Sequence, residues 1–291
     1  MIDPRPTPAR PINPGPPAVA CVSYLNAKPL IDNFAAALPG VRLALDVPAR
    51  QLDTLVNGTA DLALCPVIDY YRSPVPLAVA PVGAIGCDGP TLTVRLFSPV
   101  PPAEISRVRL DADSHTSVCL LRVVLQDCYR SNPPVRVGLP PPGAAPPPGE
   151  ARLLIGDKVV TDPPDPAAFP YEVDLGDAWK RLTGRPFVFA LWLARRDADP
   201  ARVRPLAAAL ERLRLTNAGR IPDIVASHAA AHRWPPSLAT DYLGRILTYE
   251  AGPAQLSAVG AFAARAAGLG LIPADPHAPA FAPHLFGEAP A

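Results

Sequence analysis

No run of apolar residues in this sequence is long enough to span a bilayer, and the opening MIDPRPTPARPINPGPP has no apolar signal core. A cytoplasmic protein with no membrane partner is therefore expected. Cysteine is scarce. Cys21, Cys65, Cys87, Cys119 and Cys128 form no CxxC pair and no metal-ligand spacing, which argues against a disulfide framework and a structural metal. Lysine is rarer still, with only Lys28, Lys158 and Lys180. Most cations are arginines, and the net charge is just +1, so the charge balance points to no nucleic acid. No Walker loop, dinucleotide fingerprint or GxSxG is present.

Proline, in contrast, is abundant: 42 of 291 residues, against about 5% in ordinary proteins. Its clusters mark where regular structure is not expected. At 49% hydrophobic and 18% charged, the chain is globular and long enough for two cores. Residues 1–17 and 273–291 read as proline-rich, loose tails. Strands are expected at Ala18–Val22, Val41–Val47, Leu62–Cys65, Leu77–Ile85 and Thr91–Phe97. One helix should run through Ile31, Phe34 and Leu38, and another through Leu52, Leu55 and Val56. The β-α-β order with short links predicts parallel strands joined by right-handed crossovers.

A second unit begins near Pro99. It has strands at Val108–Leu110, Val135–Leu139 and Arg152–Ile155, a strong helix in SHTSVCLLRVVLQDCYR, and a short helix in LGDAWKRLTG. The apolar strand Phe187–Ala194 then returns the chain to the first unit, and from Pro200 helices alone are expected, at Ala201–Ala218, Pro222–Arg233, Ser237–Tyr249 and Pro253–Leu269. The pattern predicts an α/β protein of two lobes: 18–98 plus 190–272, and 99–189. The chain should cross between them near Phe97–Pro99 and Phe189–Leu191, which makes a two-segment hinge with a ligand cleft between the lobes.

Three polar clusters follow predicted strands, where ligands sit in open parallel sheets. Ser23-Tyr24-Leu25-Asn26 precedes a helix opened by Pro29, and reads either as a ligand cluster or as an ordinary cap. Ser114, Thr116 and Ser117 bring three hydroxyls to one helix start. One cap needs one hydroxyl, so an anion site is the alternative. Gly156-Asp157 ends a wholly apolar strand, where Asp157 serves either as a cap or as a partner for a ligand hydroxyl. His228 and His232 share a predicted helix face, but no Glu follows the first, so the zinc-protease motif is absent. His277 and His284 fall in the expected loose tail. Tyr70-Tyr71 and Trp192 read as packing residues.

SYLNAKPL, DLALCPVIDY, TLTVRLFS, SHTSVCLLRVVL, LLIGDKVV and DLGDAWKRLTGRPFVFALW occur in this order between Val19 and Leu271. Together they resemble the chorismate dehydratase family of the futalosine route to menaquinone. The resemblance implies a type II periplasmic-binding-protein (venus-flytrap) fold and a hydro-lyase that turns chorismate into 3-[(1-carboxyvinyl)oxy]benzoate. It also implies a reaction that needs no metal or other cofactor. By motif match, Asn26 and Thr93 would be catalytic, and Ser23, Tyr24, Ser114, Thr116, Ser117, Gly156 and Asp157 would bind substrate. The chain departs from the family at His115, where Arg is usual, at Thr93 and Cys87, where Ser is common, and at Lys158, where Ala is usual. Neutral Asn26 is no strong base, so the substrate's own enolpyruvyl carboxylate is the expected proton acceptor. A non-catalytic anion-binding sensor of the same fold is the main alternative. A pathway enzyme acting on a later naphthoate precursor ranks below it, because its N-terminal motif is missing.

Overall fold

The computed structural model describes residues 15–141, 143–277 and 279–287. Most of the expected N-terminal tail therefore lies outside the described residues. The strands are β1 (Ala18–Val22), β2 (Arg42–Asp46), β3 (Leu62–Pro66), β4 (Leu77–Cys87), β5 (Val94–Ser98), β6 (Arg107–Leu110), β7 (Val135–Val137), β8 (Glu150–Ile155), β9 (Tyr171–Asp174), β10 (Phe187–Arg195) and β11 (Leu247–Thr248). They form a six-stranded sheet of order β11-β4-β10-β3-β1-β2 and a five-stranded sheet of order β7-β6-β8-β5-β9. Strand β1 pairs in parallel with β2 and β3, as the β-α-β pattern requires, and β6 pairs in parallel with β7 and β8. Strands β1 and β3 are buried at every position. Helices cover both faces of such central strands, so their sequences are apolar without alternation.

The chain changes sheets earlier than the sequence pattern placed it. β5 pairs with β8 and β9, so the first changeover lies at 88–93 rather than at Phe97–Pro99. β10 already pairs with β4 at Phe187, so the second lies at 175–186 rather than at Phe189–Leu191. The Asp174 carboxylate ties the two changeovers together. It accepts the N–H groups of Thr91 and Leu92 from one, and caps the helix Leu175–Thr183 through Gly176 and Asp177 in the other. A Cβ at Gly176 would stand 2.6 Å from the Gly89 carbonyl oxygen, so the two segments touch only because this residue is glycine. Trp179, Phe187 and Phe262 meet edge to face alongside, at centroid distances of 5.0–5.9 Å. The DLGDAW…PFVF string therefore builds the junction of the lobes.

Four further expectations differ from the structure. The helix expected through Ile31, Phe34 and Leu38 is two short ones, Lys28–Ile31 and Phe34–Ala37, broken at Asn33 with φ 61°. Asn tolerates that left-handed backbone, and the adjacent Asp32 carboxylate is held by His228 and Arg220. Strand β9 had no counterpart in the sequence pattern, since Tyr171 and Glu172 are exposed. The helix expected at Ser237–Tyr249 ends at Asp241; a π-turn spans Tyr242–Ile246, and β11 then covers the edge of β4. Helices alone therefore do not complete the chain. Nor is the C-terminal segment loose where it is described: Phe281 bridges to Val79, and Leu285 and Phe286 pack into the first lobe's core. Among the described residues no helix is long and apolar enough to cross a membrane.

Candidate active site

A cavity of about 50 Å³ lies between the lobes, lined by Tyr24, Asn26, Thr91, Thr93, Ser114, Ser117, Gly156, Phe189 and Tyr242 among others. Ligand pockets for small molecules usually measure about 300–1,000 Å³, so the lobes stand closed on each other. No lining residue carries a formal charge.

One wall is the N-terminus of the helix His115–Tyr129. Ser114 is its N-cap: Oγ accepts the Ser117 N–H at 3.2 Å and donates to Ser117 Oγ at 3.0 Å. Fifteen aligned peptides put partial positive charge at this end, so the wall can take a carboxylate. Thr116 faces elsewhere. It is buried outside the cavity, and its Oγ1 accepts the Ile68 N–H from the first lobe at 3.3 Å. Two of the three expected hydroxyls thus line the cavity, and the third ties the lobes together.

The cavity also takes a polar group from the first lobe and the junction. Asn26 sits in the single turn Leu25–Ala27 after β1, and its Oδ1 is buried with no hydrogen-bond partner. Asn26 shares the cavity with Tyr242, whose hydroxyl lies 2.6 Å from Thr93 Oγ1. Tyr242 is fully buried and stacks on Trp234 at 4.7 Å. Burial pushes its pKa well up, against the opposing pull of the Thr93 hydrogen bond and of nearby Asn26, so the phenol keeps its proton. Tyr242 was missed in the sequence because it sat inside an expected packing helix; the π-turn that aims it has no sequence signal.

Of the remaining expected site residues, Tyr24, Gly156 and Asp157 meet across the lobes, and Ser23 does not. The Tyr24 ring lines the cavity, and its hydroxyl donates to Asp113 at 2.9 Å. Lys158 bridges Asp111 and Asp113 at 2.7 Å each. Burial opposes ionisation of Asp113, but the Lys158 and Tyr24 hydrogen bonds outweigh it and hold its pKa below the ordinary value. Ser23 does not line the cavity; its N–H closes onto the Asp46 carbonyl. Gly156 has φ +67°, and a Cβ there would stand 2.9 Å from the Tyr24 ring, so only glycine lets the lobes meet at this point.

Asp157 is not free to meet a ligand hydroxyl. Its carboxylate accepts from His232 Nδ1 at 2.7 Å, Trp234 Nε1 at 3.0 Å and the Leu25 N–H at 3.4 Å, all in the first lobe. The expected histidine pair is separate: its helix ends at His228, which bonds Asp32, while His232 reaches Asp157. His115 pairs with buried Asp69 across the lobes at 2.9 Å. Cys87 is buried, and burial foremost, with Asp174 nearby, pushes its pKa up to about 12, so it is no nucleophile. No group of three His, Cys, Asp or Glu side chains suited to a metal occurs among the described residues.

Comparison with known proteins bears on both the fold and the chemistry. The chorismate dehydratase of Thermus thermophilus is 29% identical over 236 residues, 76% of this chain and 84% of that protein. The alkanesulfonate-binding protein SsuA from Xanthomonas axonopodis, solved with MOPS bound, superposes with a TM-score of 0.61 at 15% identity, over 89% of this chain and 95% of its own. A Candida albicans protein described as having the generic periplasmic binding protein fold superposes at 0.58 and 9% identity, over 91% and 92%. These likenesses show the fold, two lobes of the periplasmic-binding-protein type. The family described as menaquinone biosynthesis matches residues 17–268, most of the described chain, and this protein belongs to it.

Proposed function

We propose that the protein is a hydro-lyase that dehydrates chorismate to 3-[(1-carboxyvinyl)oxy]benzoate, with no metal or other cofactor, in the cytoplasm. The observation that carries this reading is the cavity's division of labour. The helix N-terminus with Ser114 and Ser117, which can take an anion, lines the same cavity as Asn26, Tyr242 and Thr93, and no lining side chain is charged. The 29% identical dehydratase supports the substrate.

Chorismate is a ring dicarboxylate with an allylic hydroxyl. Loss of that hydroxyl and of the proton on the carbon bearing the enolpyruvyl ether makes the ring aromatic and releases one water. With that driving force the protein needs to orient the ring, give the proton a route and help hydroxide leave. No lining side chain is a strong base, so the substrate's enolpyruvyl carboxylate takes the ring proton. Ser114, Ser117 and the helix N-terminus hold the ring carboxylate. Asn26 Oδ1 takes a hydrogen bond from the substrate and fixes its orientation. Tyr242 and Thr93 donate to the departing hydroxyl, which leaves as water once it receives the proton.

Purified, chelator-treated protein mixed with chorismate should yield the enolpyruvyl benzoate. Asn26→Ala should fold and bind while turnover falls about 100-fold, roughly 3 kcal/mol of transition-state stabilisation. Tight binding of chorismate without turnover by the wild-type protein would instead favour the sensor reading. Activity lost to the chelator and restored by one metal would overturn the cofactor-free chemistry.

A further inference from the structure

Away from the cleft, the second lobe carries a groove of about 730 Å³ with walls that include Leu139, Ala144, Leu154, Ala168 and Phe169. Arg152, on β8, forms its floor. It is only 6% exposed, and its guanidinium carbon lies 4.7 Å over the Phe169 ring. Charges this deep in a protein are normally paired, and this one is not. Glu150, two residues away on the same strand, engages Arg109 at 3.3 Å and Arg107 at 3.9 Å. Among the described residues no carboxylate stands within ion-pair distance, 4.0 Å, of the Arg152 guanidinium. One nitrogen donates to the Ala144 carbonyl at 2.6 Å, and Nε is buried without a partner. A guanidinium has five N–H donors, so most of this one's capacity is unspent.

The other charged residues along the groove are engaged. Lys158 bridges Asp111 and Asp113. Asp162 accepts from Arg233 and Thr161, and Asp165 from the Ala167 N–H.

We propose that this groove is a second ligand site, for a small monoanion with an apolar or aromatic body. Its carboxylate meets Arg152, and its body lies against Leu139, Leu154 and Phe169. Lys158 and Asp162 are already paired, so Arg152 carries the unmatched positive charge of the groove, and a single carboxylate is its complement. The site is distinct from the cleft, with which it shares no lining residue.

The test is calorimetric titration of the full chain with 4-tert-butylbenzoate and its neutral amide. The acid should bind wild type at least about tenfold more tightly than the amide, as one charge-assisted contact supplies. Arg152→Met should abolish that preference. Ala168→Trp, which fills the groove without removing the guanidinium, should abolish binding, and it decides the matter should Arg152→Met fail to fold. Ser117→Ala, in the cleft, should leave binding intact. No measurable binding to wild type, unchanged binding in both groove variants, or loss of binding in Ser117→Ala would each overturn the proposal.

Discussion

Asp157→Ala should open the protein without unfolding either lobe. Asp157 belongs to the second lobe, and every donor to its carboxylate belongs to the first. The contacts to His232 and Trp234, at 2.7 and 3.0 Å, have good length; the Leu25 N–H at 3.4 Å is long and is left out of the sum. Hydrogen bonds to a charged group contribute about 1.5–3 kcal/mol each. Two at the lower figure give about 3 kcal/mol that favours the closed form and is absent when the lobes part. That amount is about 150-fold in the closed–open equilibrium: the part that opens a closed unliganded protein shows in scattering, and only the remainder shows as lost affinity for a ligand that binds the closed form. The reaction product is the proper probe, because it does not turn over. Product affinity is read by calorimetry, and the radius of gyration by small-angle scattering without ligand. The variant should scatter as a more extended particle, bind the product up to about 150-fold more weakly, or show a share of each, the two changes together accounting for the lost ~3 kcal/mol. A folded variant with wild-type affinity and wild-type scattering would refute the latch.

Two more outcomes follow from the site and its surroundings. Tyr242→Phe keeps the stack on Trp234 but removes the donor 2.6 Å from Thr93; turnover should fall about 10²- to 10³-fold, as for loss of one donor to developing charge, with melting temperature little changed, and unchanged turnover would move leaving-group assistance to Thr93 or water. His115 should make lobe docking pH-dependent. Its hydrogen bond to Asp69 raises its pKa above the ordinary value, against a smaller opposing effect of burial, so the ion-pair contribution is full below about pH 6.5 and is lost as pH climbs through the raised value. The gap in melting temperature between wild type and His115→Gln should therefore narrow between pH 6 and pH 9, and a constant gap would show that the pair contributes no pH-dependent stability.

The sequence by itself determined the strands that are buried on both faces, because AVACV and LALCP can only sit where both sides are covered. It also marked a strong helix in SHTSVCLLRVVLQDCYR, since an apolar stripe is a local signal, while its start at His115 with Ser114 as N-cap came from the structure. Several residues of the family motifs hold the lobes together rather than line the cavity. Only the tertiary structure decided that Thr116 serves Ile68, that Asp157 serves His232 and Trp234, and that Tyr242 joins Asn26 and Thr93 in the cleft. The physical reason is range. A cap or an apolar stripe is set by neighbours three or four residues away, whereas these residues lie from 48 apart, for Thr116 and Ile68, to 216 apart, for Asn26 and Tyr242. Local patterning shows that a hydroxyl or a carboxylate ends a strand or starts a helix. What it meets there depends on how the two sheets face each other.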